Sequence, residues 1–425
     1  MKGKITASSL NVRKGTSTSY SVVKTLRQGI VVNILDSKKV GVTTWYKIKE
    51  GWISGKYVDI LSDNKNEITV TPNMSMAKIQ ECLKESGCTI RFTKGVYNIT
   101  KTLLLYSDTT IILDNAILVR KNSKQIFMNY LNPSRNYNYN ATKNVTIKGN
   151  GKLVGNGSSK TCSIISIIHC DNFIFNGVEF TKCLKSHDVD VCGSSNIIFK
   201  NVTFSDRITD PKKTYKESVN IDFSYYSGFP YYSKTSKAYN LAHCKNVKFD
   251  TCTFSNISTA IGSHTEGNTT LKHKNIIVIN CTARGDGRGN FINLSNVDGA
   301  TIRNNNINGF RCGVELRNQD TYYTAKGSKT YTANHTSGCE NISIEGNTIS
   351  NAKGNIKVAG IHIMSEIDDV KHGSIIIANN KFALNNTYAK YDIYISNADG
   401  VDIKGNNTKL EIKIDKDTTD NVKVR

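Results

Sequence analysis

The chain has 425 residues, 38% of them hydrophobic and only 4 of them proline, which excludes a disordered or proline-linker protein and is long for one compact core. No stretch reaches the roughly 18 unbroken apolar residues of a membrane span, and the opening MKGKITASSLNVRKG has no apolar run behind its lysines, so neither a membrane partner nor a signal peptide is expected. The formal net charge of +21 attracts polyanions. Its lysines are spread thinly and no nucleic-acid-binding signature accompanies them, which favours an acidic polysaccharide or a teichoic-acid-like wall polymer over nucleic acid.

Residues 1–62 form the first predicted unit. Short β-type runs recur at roughly ten-residue spacing, punctuated by Gly15, Gly29, Gly41, Gly51 and Gly55, as in a small barrel of five or six strands. The runs LNVRKG, LRQG, WYKI and GWISGKYV resemble, in this order, the bacterial SH3-like (SH3b) family. That resemblance implies a binding module for peptidoglycan or other wall material. Trp45, Tyr46 and Tyr57 are the candidate wall-binding residues, while Trp52, and Trp45 as the alternative to a binding role, suit the barrel core.

Residues 63–425 form the second predicted unit. A polar joint at 63–70 precedes SMAKIQECLKES, whose Met76, Ile79, Cys82 and Leu83 recur at spacings of 3 and 4, predicting one amphipathic helix that caps a solenoid. From residue 161 a repeat of paired short strands follows in eight copies, among them HDVDVC, SVNIDF, TAIGSH, FINLSN, GVELRN and AGIHIM. Strands recurring without intervening helices predict a parallel β-helix, with Asn at turns because it tolerates the left-handed conformation and hydrogen-bonds along a stack. The eleven cysteines are scattered without CxxC pairs, so buried, reduced thiols in the solenoid wall are expected, with no zinc, other metal or cofactor.

The fold class read from these runs is all-β, a small barrel plus a β-helix. Residues 67–425 resemble the right-handed parallel β-helix, or pectate-lyase-like, superfamily, with IQECLKESGCTIRFTKGVYNITKTLLLYSDTTIILDNAIL as the opening that carries the likeness. That superfamily holds lyases, hydrolases, epimerases, phage tail-spike proteins and adhesins, so the likeness implies a fold before an activity. A phage-derived member implies a homotrimer, and the missing signal implies action at the bacterial surface after lysis or within a phage-like particle.

Alternation along the strands places Val189, Val191, Val219, Ile221 and Ile261 inward. It places Asp188, Asp190, Asp222 and His264 outward, and one outward row is predicted through Asp190, Asp222, His264, Asn293, Glu315 and His362. Glu217 precedes the Asp222 strand and can curl onto this face. Paired carboxylates carry out glycoside hydrolysis, which makes Glu217, Asp222 and Glu315 the acid/base candidates with His264 as partner. Lyase chemistry would use His264, Arg288 or Arg317 instead. Asp190, Asn293, Arg288, Arg317 and His362 are the polar substrate-binding candidates. Excursions at 205–245 and 317–338 are rich in tyrosine, including Tyr215, Tyr225, Tyr226, Tyr231, Tyr232, Tyr239, Tyr322, Tyr323 and Tyr331, and aromatic faces stack on sugar rings. The segments KESVNIDF and STAIGSH resemble a pattern in bacterial and phage β-helix proteins, whereas the NTD, DD, GHG and RIK set of polygalacturonases is absent. The expected function is cleavage of an acidic wall, capsular or exopolysaccharide by a glycosidase or lyase, with a non-catalytic glycan-binding adhesin as the alternative.

Overall fold

The computed structural model describes residues 2–61, 67–121, 123–156, 162–183, 186–207, 216–226, 228–264, 271–318, 321–323, 330–332, 338–352, 358–366 and 370–425. Its contacts divide the chain into two units, Met1–Glu67 and Ile68–Arg425.

The first unit carries eight strands among the described residues, where five or six were expected. An antiparallel sheet of three (Val31–Asn33, Lys2–Ile5, Val58–Leu61) accompanies an antiparallel sheet of five (Val22–Arg27, Ser9–Arg13, Gly51–Ser54, Thr43–Ile48, Asp36–Val40). The chain breaks at Ile34 and Leu35 between Val31–Asn33 and Asp36–Val40, which join different sheets. Ile5, Leu10, Val12, Leu26, Ile34, Ile48, Ile53 and Val58 form the core. Trp45 is buried, which removes it from the wall-binding candidates. Trp52 is half-buried with the Lys47 ammonium 5.9 Å from its ring centre, Tyr46 is half-buried against the core, and Tyr57 is exposed.

In the second unit each coil visits three parallel sheets in turn. One coil runs through Ser195–Lys200, Thr203–Ser205 and Glu217–Asp222 before Lys245–Asp250 pairs with its first strand. The sheets contain thirteen, ten and eleven strands among the described residues. Glu67–Val70, expected in a polar joint, is the outermost strand of the first sheet, and the helix Met76–Lys84 follows. Ser75 caps that helix by accepting from the Lys78 amide at 3.2 Å, and Ile79, Cys82 and Leu83 join the solenoid core.

Stacking of like on like holds the coils in register. Phe175, Phe199 and Phe249 pile with ring centres 4.8 and 4.7 Å apart, matching the spacing of about 4.8 Å between adjacent strands. Asn201, Asn280 and Asn304 take the left-handed conformation at the corner after the first sheet. At the neighbouring buried position Asn305, Asn347 and Asn380 form a ladder, each side-chain Nδ2 donating to the next Oδ1 at 2.9 and 3.0 Å, and Asn380 continuing to Asn406 at 3.0 Å. All eleven cysteines are unpaired and buried.

Replacing Asn347 with Ala strips the donor from Ile302 O and removes the side-chain acceptor of the Asn305 amide N–H in the core. Denaturant unfolding of the second unit should show a loss of about 1–3 kcal/mol. A loss within the scatter of surface substitutions would mean the ladder does not carry this load.

Candidate functional site

The outward face of the third sheet is arranged as parallel columns, because each coil repeats the last in register. Asp190, Asn220, Gly262, Asn293, Glu315, His362 and Tyr394 occupy one column. Cys192 and Asp222 occupy a second column two residues further along the strands, where His264, just past Ser263, continues from Asp222. The single predicted row therefore mixed two columns, with Asp222 and His264 belonging to the second. Asp188, expected outward, shares a column with the core residues Ile164 and Ala260 and is buried. Burial raises its pKa to about 6 against the pull of Arg207. It faces inward because the chain turns a corner immediately before Val189 and breaks the strict alternation.

Gly262 is the hinge of the local geometry. Its missing side chain leaves a gap in the first column, and the Glu217 side chain lies across it: a Cβ built on Gly262 would sit 2.5 Å from Glu217 Cγ. Glu217 thereby reaches His264 Nε2 with Oε1 at 3.4 Å, while His264 Nδ1 stands 4.0 Å from Asp222 Oδ2. Asn220 Nδ2 donates to Asp222 Oδ2 at 3.0 Å and to Asp190 Oδ1 at 3.4 Å. His187 closes the ring, its Nε2 3.7 Å from Asp190 Oδ1 and its Nδ1 3.5 Å from Glu217 Oε2. Three carboxyl groups and three nitrogen-bearing side chains thus alternate around a closed circuit contributed by three successive coils.

The carboxyls of this ring are pushed in opposite directions. Asp190, 4% exposed, is raised to about 6 by burial, with a hydrogen bond from Ser163 Oγ opposing. Asp222, 2% exposed, is also raised by burial, partly offset by His264 and by hydrogen bonds from Tyr225 and Asn220. Burial would raise Glu217 too, but the charge and hydrogen bond of His264 outweigh it and hold Glu217 well below the usual carboxylate range. Burial disfavours the His264 imidazolium, yet Glu217 and Asp222 prevail and raise its pKa to about 9. His187 is held neutral by burial first, and its Nδ1–H donates to Glu217 O at 2.9 Å, leaving Nε2 as a lone pair facing Asp190. His264, with its side chain 31% exposed, is the ring member that reaches solvent; the side chains of His187, Asp190, Glu217 and Asp222 are 8% exposed or less.

The other predicted site residues are placed differently. Glu315 lies further along the first column, 1% exposed, and accepts from Asn290 Nδ2 at 3.0 Å, Arg311 Nη2 at 3.1 Å and His362 Nδ1 at 3.3 Å. These partners overcome its burial and hold its pKa to about 2, so it is a fixed anion rather than a proton carrier. Arg288 is bound to Asp286, and Arg317 is ion-paired with Glu366. Asn293 is half-buried between the ring and Glu315.

The tyrosines of the first excursion mostly do not form a sugar platform. Phe229 and Ala238 cover the outward apolar residues Ile168 and Cys192, and Tyr231, Tyr232 and Tyr239 pack around them. Tyr239 Oη donates to Phe229 O at 2.6 Å. Tyr225 is buried and hydrogen-bonded to Asp222, so it offers no open face. Tyr226 is half-buried against Tyr239, with the Lys234 ammonium 5.1 Å from its ring centre. Apolar residues on an outward sheet face need cover, and this loop supplies it. Tyr215 and the side chains of Tyr322, Tyr323 and Tyr331 lie outside the described residues.

His187, Asn220, Gly262 and Arg311 were not singled out as candidates from sequence. A signal existed for His187, since aligning HDVDVC with ESVNID sets it opposite Glu217. Arg311 sits in the corner between sheets, where alternation is silent.

Because His264 has a folded-state pKa raised from 6.5 to about 9, its pairing contributes stability that is fully present below pH 6.5 and lost as pH rises through about 9. The unfolding free energy of the second unit should decline over that window. In Gly262→Ala, where a methyl group displaces Glu217, the decline should shrink. An unaltered pH profile in Gly262→Ala would show that Glu217 does not depend on the gap.

Residues 8–59 match the family model for the bacterial SH3 domain. A search of the curated proteins finds no match. Among solved structures the surface protein and adhesin PfbA of Streptococcus pneumoniae is similar, with a TM-score of 0.61 and 16% identity over 84% of this chain and 98% of that one. The family 28 exopolygalacturonase of Yersinia enterocolitica gives 0.54 and 12% over 94% and 86% of the two chains. The polygalacturonase of Erwinia carotovora ssp. carotovora gives 0.52 and 14% over 84% and 96%. Identities this low speak to fold and to no activity. Residues 8–59 are thus similar to a bacterial SH3 domain, and the second unit has the right-handed parallel β-helix fold of these solved structures.

Proposed function

We propose that the β-helix hydrolyses glycosidic bonds of an acidic bacterial wall, capsular or exopolysaccharide, and that the SH3 domain holds it on the wall. The observation that carries this reading is the split within one ring: two carboxyl groups raised by burial beside a third kept ionised by its imidazolium. Environments that drive neighbouring carboxyls apart are how an acid and a base arise from the same residue type. In this reading Asp222 protonates the departing glycosidic oxygen, and Glu217, oriented by His264, draws a proton from the attacking water. Asp190 and His187 hold the far side of the ring. Hydrolysis is favoured over elimination because His264 is charged at neutral pH while Arg288 and Arg317 are engaged in ion pairs, which leaves an eliminating base without a candidate among them.

The charge of +21 suits an anionic polymer, and attachment through the SH3 domain raises the effective concentration of substrate at the β-helix. Tyr57, exposed, and the half-buried Tyr46 and Trp52 are the residues proposed to meet wall material there. A second reading, a non-catalytic glycan-binding protein acting at the bacterial surface, is favoured by one fact: of the ring, His264 alone is substantially open to solvent.

Reducing-end release from purified wall, capsular and exopolysaccharides tests the choice. Asp222→Asn, checked for retained folding by thermal unfolding, should lower release by about 100-fold or more, the range of a lost general acid. Release unchanged in Asp222→Asn would remove it from the reaction. Absence of release by the parent across the panel, with binding retained, would favour the non-catalytic reading.

A further inference from the structure

Beyond the ring, the first column continues into a second constellation to which the proposed cleavage chemistry gives no task. Gly262, Asn293, Glu315, His362 and Tyr394 stand on five successive coils. At about 4.8 Å per coil, Tyr394 lies about 19 Å from the gap that Glu217 spans. Here Glu315 is saturated by Asn290, Arg311 and His362 and performs one physical task, fixing the Arg311 guanidinium and the His362 imidazole. The His362 ring is stacked on Tyr394 with centres 5.1 Å apart and planes 17° apart, and Tyr391 packs against Tyr394 at 5.4 Å. Lys390 places its ammonium 5.1 Å from the Tyr391 ring centre. His362, Tyr391, Tyr394 and Arg311 are all half-buried and so in part open to solvent. The Arg311 guanidinium donates through Nη2 to both Glu315 oxygens, and its Nε and Nη1 make no hydrogen bond among the described residues.

We propose that this constellation is a sugar-binding subsite, in which one pyranose ring of a bound glycan rests on the Tyr394 and Tyr391 rings while Arg311, held by Glu315, bonds its hydroxyl or carboxylate oxygens. Aromatic rings carry an apolar face that matches the C–H face of a sugar, and an anchored guanidinium presents donors in a fixed fork. The subsite rests on the reading of the third sheet as a glycan-binding wall and adds its register: the polymer runs along the solenoid axis, with this unit bound toward the C-terminal end from the ring. His362 is a positioning residue between Glu315 and Tyr394.

Binding, measured in the full chain carrying Asp222→Asn, tests this apart from any cleavage. The probes are wall glycans, capsular polysaccharides and polygalacturonate, each fractionated into disaccharides and octasaccharides, with affinity read by calorimetry. The octasaccharide of the retained glycan should bind more tightly than its disaccharide. Tyr394→Leu and Arg311→Gln should each erase about five- to tenfold of that advantage and leave the disaccharide unaffected. Tyr394→Leu keeps an apolar side chain at a half-exposed position, so a loss there is not a folding loss. The proposal is overturned if both variants bind octasaccharides as the parent does, if affinity is independent of length, or if no glycan is retained. If the Tyr394 dependence holds while the chain without Asp222→Asn releases no product, the cleavage reading falls and the subsite stands.

Discussion

The whole site depends on the parallel register between the coil bearing Glu217–Asp222 and the coil bearing Thr259–Ser263. At that register a glycine leaves a gap in the first column, and a glutamate from the coil before leans across it. No single strand contains the ring. It exists because three coils, each stacked on the last through Phe175, Phe199 and Phe249, deliver His187 with Asp190, then Glu217 with Asn220 and Asp222, then His264. A solenoid makes such convergence available because each coil contacts only its neighbours, so residues far apart in sequence meet at strand spacing.

Electrostatics then sets what the ring can do. Burial disfavours the ionised form of all three carboxyls; the His264 imidazolium outweighs it at Glu217 and only partly offsets it at Asp222, so Asp190 and Asp222 stay raised. The tyrosine excursion deepens that division, since it buries Asp222 beneath Tyr225 and Gly228. Glu315 shows the opposite outcome from similar burial. With Asn290, Arg311 and His362 donating to it, it is pinned as an anion, and its value lies in what it orients.

Much of this was legible in the sequence, for physical reasons that also mark where legibility stops. The Asn-rich repeat and the capping helix follow from backbone rules and strand periodicity, and the helix appears at Met76–Lys84 within the predicted run. Glu217, Asp222 and His264 were selected together and are brought together. The single outward row was an error of register: alternation says which face a residue takes but not which of several columns it joins, and insertions between coils hide that offset. Asp188 was misplaced at a corner, where alternation fails. Tyr225 was read as a ligand platform, and Trp45 as either a wall-binding or a core residue, because aromatic side chains look alike in sequence whether they cover a core or a sugar, and only burial separates the two.

The contact between Glu217 and His264 across Gly262 is the claim on which the chemistry stands, and a double-mutant cycle of Glu217→Gln and His264→Gln measures it directly. With unfolding followed at neutral pH, the account predicts a favourable coupling energy within the range of about 0.5–3 kcal/mol found for side chains in direct contact. Additive effects of the two substitutions, with no coupling, would contradict it.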